Sequence, residues 1–286
     1  MSEPSRRVRI VTDSACDLPD QLVERHAIGV VPLSIRFGDE ELIDREQLSV
    51  EEFWQRCAAR DDLPSTAAPA PGQFETVFRS MAAEGAQDIV VVSLSAALSA
   101  TIQSAELAAR EVTDVVRVHV VDSRSVTLGL GTMVLAAAEA AESGADAESI
   151  VAAVADMAAR TRVIGALDTL ENLRKGGRIG GAKAMLATAL SIKPIIEVID
   201  GVVEQAGKQR TRSRALSFIV DQVAADGDRV DGLAVLHAEC PDVDQFVEML
   251  RSALPQLGEI VVGRIGPVIG THAGMGTIGV AYRRRD

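Results

Sequence analysis

Apolar positions along the chain switch repeatedly between short continuous runs and a three-and-four spacing, the signature of strands alternating with helices. The clearest switch is Asp88-Ile-Val-Val-Val-Ser93, a β-branched run of the kind buried in a parallel sheet, followed by Leu98, Ile102, Ala105, Ala109 and Val112 at helical spacing. A hydroxyl-rich turn, Ser93 to Ser99, lies between them. In an open α/β sheet such a turn sits at the carboxyl end of a strand, where ligands collect and unpaired helix N–H groups favour an anion. Simple helix capping by Ser95 or Ser99 fits the same local pattern.

The preceding residues predict a first strand at Val8 to Thr12, ending in Asp13-Ser14, then a helix that has Pro19 in its first turn and ends near His26. Val30 to Phe37 reads as a second strand, and Gly38-Asp39 before Leu42-Ile43 as a small hairpin. Ser49-Val-Glu-Glu52 matches a capping box for a helix carrying Phe53, Trp54 and Cys57. Three prolines stiffen the stretch Pro64 to Gly72 into a rigid loop, and Gln73 to Glu84 is helical, with Phe74, Val77, Phe78 and Met81 on one face. Val115 to Val121 is a further strand, and the Asp122-Ser123 after it repeats the Asp13-Ser14 pattern, so two strand ends are expected to face one cleft. His119 within that strand reads as packed or surface histidine. Two Ala-rich helices follow, Leu130 to Glu142 and Ala147 to Arg160, with Gly144 between them.

The pattern changes near Thr161, which divides the chain into an expected N-terminal α/β domain, 1–161, and a C-terminal α/β domain, 162–286. In the second, Val163 to Leu167 predicts a strand and Thr169 to Leu173 a helical turn. Leu173-Arg-Lys-Gly-Gly-Arg-Ile-Gly-Gly181 sets cations beside glycines, but no Gly-Lys-Ser/Thr closes it as a nucleotide-phosphate loop would. Lys193 to Glu204 is a hairpin turned by Asp200-Gly201. The basic segment Gly207 to Arg214 leads into a helix at Ala215 to Ala225. Leu233 to His237 and Glu259 to Ile265 are strands flanking a helix at Val243 to Leu254, and Gly270 to Gly279 reads as a glycine-dense turn around His272.

Composition narrows the function. A net charge of −12 repels a phosphate backbone, and no basic stripe interleaves with aromatics, so nucleic acid is not expected as a partner. Aromatic residues make up 3% of the chain, which leaves few surfaces for stacking flat bases or sugars, whereas a flexible aliphatic ligand needs none. Three widely spaced cysteines, Cys16, Cys57 and Cys240, fit neither a disulfide framework nor a paired zinc site. No apolar run reaches membrane-spanning length and Met1 to Arg7 lacks the apolar core of a signal peptide, so a cytoplasmic protein is expected.

Seven motifs in register then carry a resemblance: Val11-Thr-Asp-Ser14, Pro64-Ser-Thr66, Ser93-Leu-Ser-Ala-Ala-Leu-Ser-Ala-Thr101, Leu173-Arg-Lys-Gly-Gly-Arg-Ile179, Lys193-Pro-Ile195, Gly207-Lys-Gln-Arg-Thr-Arg212 and His272-Ala-Gly-Met-Gly276. Over nearly its whole length the chain resembles the DegV family, bacterial fatty-acid-binding proteins that include the FakB subunits of fatty acid kinase. The resemblance implies two α/β domains, each a sheet flanked by helices, with a long-chain fatty acid such as palmitate in the cleft between them. It implies that Thr66, a serine matched to Ser95 first and Ser99 second, Arg178 and His272 hold the carboxylate. It also implies a separate ATP-dependent kinase subunit that phosphorylates the bound acid for phospholipid synthesis, so that this chain presents a substrate and needs no cofactor.

Asp13, Ser14, Asp122 and Ser123 are the cleft-lining candidates, and Arg210 and Arg212 are candidates for docking the kinase. Ala67-Ala68, Ala100 and Met275 stand where the family often has other residues, which bears on loop geometry and acyl preference. The alternative is a serine hydrolase of a lipid-like ester, with Ser95 or Ser99 as nucleophile, His272 as base and Asp13 or Asp122 orienting it. No Gly-x-Ser-x-Gly elbow supports that alternative.

Overall fold

A computed structural model describes residues 7–60 and 62–285, the side chains of 187–191 lying outside that description. The chain opens with β1 (Val8–Asp13), one 3₁₀ turn (Ser14–Cys16) and α1 (Asp20–Arg25). The expected strand from Val30 to Phe37 is two strands in different sheets, β2 (Gly29–Val31) and β3 (Ser34–Phe37). They part at Pro32, which has no N–H to give a ladder. There follow β4 (Glu40–Ile43), α2 (Val50–Ala58), β5 (Ser65–Ala67), α3 (Pro71–Ala83), β6 (Asp88–Ser93), α4 (Thr101–Glu111), β7 (Arg117–Asp122), α5 (Thr127–Glu142) and α6 (Ala147–Arg160). The remainder is β8 (Thr161–Ala166), α7 (Glu171–Lys175), a run of 3₁₀ turns (Gly180–Ser191), β9 (Lys193–Ile199), β10 (Val202–Gln209), α8 (Arg212–Ala224), β11 (Val230–His237), α9 (Val243–Ala253), β12 (Val261–Arg264), α10 (Pro267–Ala273) and β13 (Ile278–Arg284).

These strands form a four-stranded parallel sheet ordered β2-β1-β6-β7, a six-stranded mixed sheet ordered β10-β9-β8-β13-β11-β12, and a three-stranded antiparallel sheet ordered β4-β3-β5. The expected loop from Pro64 to Gly72 is therefore partly strand, since Ser65–Ala67 pair with β3. Gln73 accepts a hydrogen bond from the Ala70 N–H through its side chain and fixes the start of α3, where Pro71 needs no donor. At the tip of the β9–β10 hairpin both Asp200 and Gly201 have positive φ, 49° and 80°, as a tight two-residue turn requires.

Alternating strand positions feed different layers. On one face of the parallel sheet Val11, Ile89 and Val91 pack on Phe74, Phe78 and Ala105 of α3 and α4. On the other face Val8, Ile10, Val90 and Val92 join Val163, Val198, Ala234, Leu236 and Ala281 of the six-stranded sheet around α5 and α6. The far face of that second sheet is covered by α8 and α9 through Leu216, Ile219, Phe246 and Leu250. The result is five layers, α/β/α/β/α, and each fully buried Leu, Ile, Val or Phe adds roughly 1.5–3 kcal/mol before ordering costs.

The chain leaves α6 and enters the six-stranded sheet at Thr161, and the central helical layer serves both sheets. Two glycines let α5 fit there: a Cβ on Gly129 would lie 2.4 Å from Val163, and one on Gly131 would lie 2.6 Å from the Cys16 carbonyl. No helix among the described residues is long and apolar enough to cross a membrane.

Candidate functional site

Four elements from three parts of the chain converge on one cavity. Thr66 is the middle residue of β5, opposite Ile35 in the ladder, and the strand's alternation turns it inward while Ser65 and Ala67 are exposed. His272 lies in the last turn of α10, so the expected glycine-dense turn at 270–279 begins as a helix. Gly270 serves packing there, since a Cβ would meet the Trp54 ring at 2.7 Å. His272 Nε2 and Thr66 Oγ1 are 3.1 Å apart. The other ring nitrogen, Nδ1, is buried without a hydrogen-bond partner. Gly176, just past α7, lies behind it, and a Cβ at that position would stand 2.3 Å from Nδ1. Burial, assisted by the positive charge of Arg178, pulls His272 down to about 4, so the ring is neutral at neutral pH.

Arg178 donates from Nε to the Leu98 carbonyl (3.0 Å) and from Nη1 to the Gly176 carbonyl (2.8 Å), tying the turn after β6 to the turn after α7. Ser99 precedes α4. Its Oγ lies 2.9 Å from Thr101 Oγ1 and accepts a 3.3 Å bond from the Thr101 N–H.

Thr66, Ser99, Arg178 and His272 are the four polar residues lining the cavity. The rest of the lining is aliphatic: Leu33, Leu94, Leu98, Val126, Leu173, Ile196, Val198, Val203, Val268, Ile269 and Ala273. About 620 Å³ of space lies between these atoms, part of it continuous with solvent, and only about 80 Å³ admits the centre of a water-sized sphere. The passage is thus narrow. Leu98, Ser99, Arg178 and Val203 also line a second, more open hollow with Ala96, Gln103, Gly177 and Gly180, so Ser99 and Arg178 stand at the junction of the two.

The other expected site residues lie elsewhere. Ser95 is fully buried and lines neither cavity; its Oγ donates to the Gly201 carbonyl at 2.7 Å and accepts from the Ala97 N–H. It fastens the turn after β6 to the β9–β10 hairpin. Asp13, Ser14, Asp122 and Ser123 do not line the cavity either, and their side chains bond the backbone nearby. Asp13 accepts from the Ala15 N–H, the Leu94 N–H and Ser93 Oγ; Ser14 accepts from the Leu33 N–H. Asp122 accepts from the Ala96 and Arg124 N–H groups, and Ser123 closes its own turn onto Ser125. Arg212 is held by Asp242 through two bonds, 2.6 and 2.8 Å, and by the Gly276 carbonyl, whereas Arg210 is exposed.

The DegV family model, described as an uncharacterised protein of that family, matches residues 7–285. The chain belongs to the DegV family. A curated DegV domain-containing protein of Streptomyces coelicolor, SCO2569, is 40% identical over 285 residues, covering 98% of this chain and all of its relative. A solved DegV family protein from Thermus thermophilus, described by its fatty acid binding, superposes with a TM-score of 0.90 at 36% identity, over 98% of this chain and 100% of its own. A stearic acid-binding protein from Eubacterium ventriosum gives 0.87 at 26% identity, over 97% and 98%.

In this DegV-family chain the pieces of a serine hydrolase are not assembled. His272 pairs with Thr66, its Nδ1 meets no carboxylate, and Asp13 and Asp122 are committed to backbone donors. Among the described residues no group of three His, Cys, Asp or Glu is placed to hold a metal ion. Sequence reasoning missed the aliphatic lining, because Leu33, Val126 and Val268 read as ordinary core. It also missed Gly176, whose only trace was the paired glycine of the Lys-Gly-Gly-Arg run.

Proposed function

We propose that this protein binds a long-chain fatty acid such as palmitate, its tail in the narrow aliphatic channel and its carboxylate among Thr66, Ser99, Arg178 and His272. The observation that carries this is the make-up of the lining: its polar side chains are Thr66 paired with His272, Arg178 bonded to the Leu98 carbonyl, and Ser99 next to that carbonyl, and the remaining wall is aliphatic. Fatty-acid binding in the Thermus and Eubacterium relatives supports the same ligand class. Each buried methylene contributes about 0.8 kcal/mol, so the tail supplies most of the affinity while the polar group sets orientation and offsets carboxylate desolvation.

The protonation of the group follows from its partners. A buried N–H with no acceptor costs more than a bare ring nitrogen, which puts the His272 proton on Nε2, donating to Thr66 Oγ1. The Thr66 hydroxyl hydrogen is then left to donate to the ligand. Ser99 Oγ accepts from the Thr101 N–H, and its own hydrogen is shared between Thr101 Oγ1 and the ligand.

In this reading the carboxylate faces the open hollow that Ser99 and Arg178 also line, the side from which a separate kinase subunit would reach it. A carboxylate oxygen attacks the γ-phosphorus of ATP bound to that subunit, ADP leaves, and an acyl phosphate remains. The test is direct. Protein purified, denatured and analysed by mass spectrometry is expected to release a long-chain fatty acid, and Thr66→Ala to lower capture about tenfold, the value of one hydrogen bond to a charged group. Wild-type protein that carries none and takes up none when offered overturns the proposal.

A further inference from the structure

The channel wall has an anchor that does not touch the channel. Three of its segments are held by side chains at the end of β1 and in the turn after it, and by no strand ladder at those atoms. The Leu94 N–H donates to Asp13 Oδ2 (2.8 Å), the Leu33 N–H to Ser14 Oγ (3.1 Å) and the Gly266 N–H to Asp17 Oδ1 (3.0 Å). Leu94 and Leu33 line the channel, and Gly266 opens α10 two residues before Val268, which also lines it. His272 is one turn further along the same helix, a rise of about 6 Å from Val268. The three anchoring side chains are buried, and none lines the cavity. Asp17 adopts a left-handed φ of 50° to make its bond, a conformation that carries a cost outside glycine.

We infer that Asp13, Ser14 and Asp17 are positioning residues that set how long an acyl chain the channel accepts. The inference rests on the fatty-acid reading above. Their bonds fix the backbone of the wall on which Leu94, Leu33 and Val268 are carried. A wall held from outside keeps its spacing when the tail enters, and losing one of these bonds lets the wall yield to a longer tail. Asp13 holds a wall residue and also ties β1 to β6 through Ser93, so the cleaner tests are Ser14 and Asp17.

The experiment offers wild type and variants an equimolar mixture of myristate, palmitate and stearate and reads the loaded species by native mass spectrometry. Ser14→Ala and Asp17→Ala are expected to move the stearate-to-myristate ratio towards stearate by about fourfold, the value of one further buried methylene. Asp17→Asn keeps an amide oxygen to accept from the Gly266 N–H and is expected to retain the wild-type ratio. Asp17→Glu keeps the carboxyl group but pushes the acceptor towards α10, and should move the ratio towards myristate; it serves if the alanine variants do not fold. Ratios unchanged in the folded variants while all of them load fatty acid overturn the inference. Wild type that loads no fatty acid instead overturns the reading beneath it.

Discussion

Two neighbouring strands of the parallel sheet, β1 and β6, end in polar turns that look alike in sequence and do opposite work. At the end of β1, Asp13, Ser14 and Asp17 turn their oxygens onto backbone N–H groups of three other segments. At the end of β6, Ser93 donates to Asp13 and Ser95 to the Gly201 carbonyl, and of the turn's serines only Ser99 reaches the cavity. A hydroxyl in such a turn can face the cavity only where other groups have already satisfied the nearby backbone. The anchoring end has a measurable cost. Burial pushes Asp13 up to about 6 and Asp17 up to about 7, against the pull of the N–H groups they accept from.

The largest effect expected to separate the two ends comes from Asp13→Ala. It orphans three buried donors and is expected to cost on the order of 3–5 kcal/mol, read as the urea midpoint. Ser99→Ala is expected to cost less than about 1 kcal/mol in stability while cutting fatty-acid capture. Equal loss of stability in both would abolish the distinction between anchor and site.

A change of pH sharpens the comparison next, because the two regions respond with opposite sign. His272 falls from an ordinary 6.5 to about 4, so the fold favours its neutral form. That contribution is complete above pH 6.5 and is lost as pH falls towards 4, up to about 3 kcal/mol. Asp13 and Asp17 rise from 3.8, so the fold favours their protonated forms; their contribution is complete below about pH 4 and is lost as pH rises through about 6 and 7. The stability gap between wild type and His272→Gln should therefore shrink on acidification from pH 6.5 to 4. The gap between wild type and Asp17→Asn should move in wild type's favour between pH 7 and 4. Denaturant titrations at a series of pH values read both, and slopes of the same sign would contradict the assignment.

The architecture was legible wherever the signal is local. The strand-turn-helix of 88–112 and the Asp200-Gly201 hairpin depend on period and on turn chemistry, and both stand in the structure. The polar group was not legible locally: Thr66 and His272 are 206 residues apart, and only the order of the family motifs linked them. Which of Ser95 and Ser99 lines the cavity was out of reach for a further reason. Ser95 turns away because the carbonyl of Gly201 arrives from the other sheet, a contact that no spacing within 93–101 encodes. The cavity wall was invisible because a residue lining an aliphatic cavity and one filling a core have the same side chain.

The two arginines of the basic segment give the smallest effect and repeat the comparison at the surface. Arg212 is committed: Asp242 takes two of its donors and the Gly276 carbonyl a third, which joins the start of α8 to the loop that follows α10 and His272. Replacing it disturbs that loop, so Arg212→Glu is expected to lose on the order of 2 kcal/mol of stability and to weaken fatty-acid loading with it. A lower rate of acyl phosphate formation in that variant would then say nothing about docking. Arg210 is exposed, two residues away. Arg210→Glu is expected to leave both the melting temperature and fatty-acid loading at their wild-type values, so a fall in the kinase-coupled rate in that variant alone assigns Arg210 to the docking surface. If Arg210→Glu lowers the melting temperature as far as Arg212→Glu does, commitment to backbone and carboxylate partners does not divide structural from functional side chains in this protein.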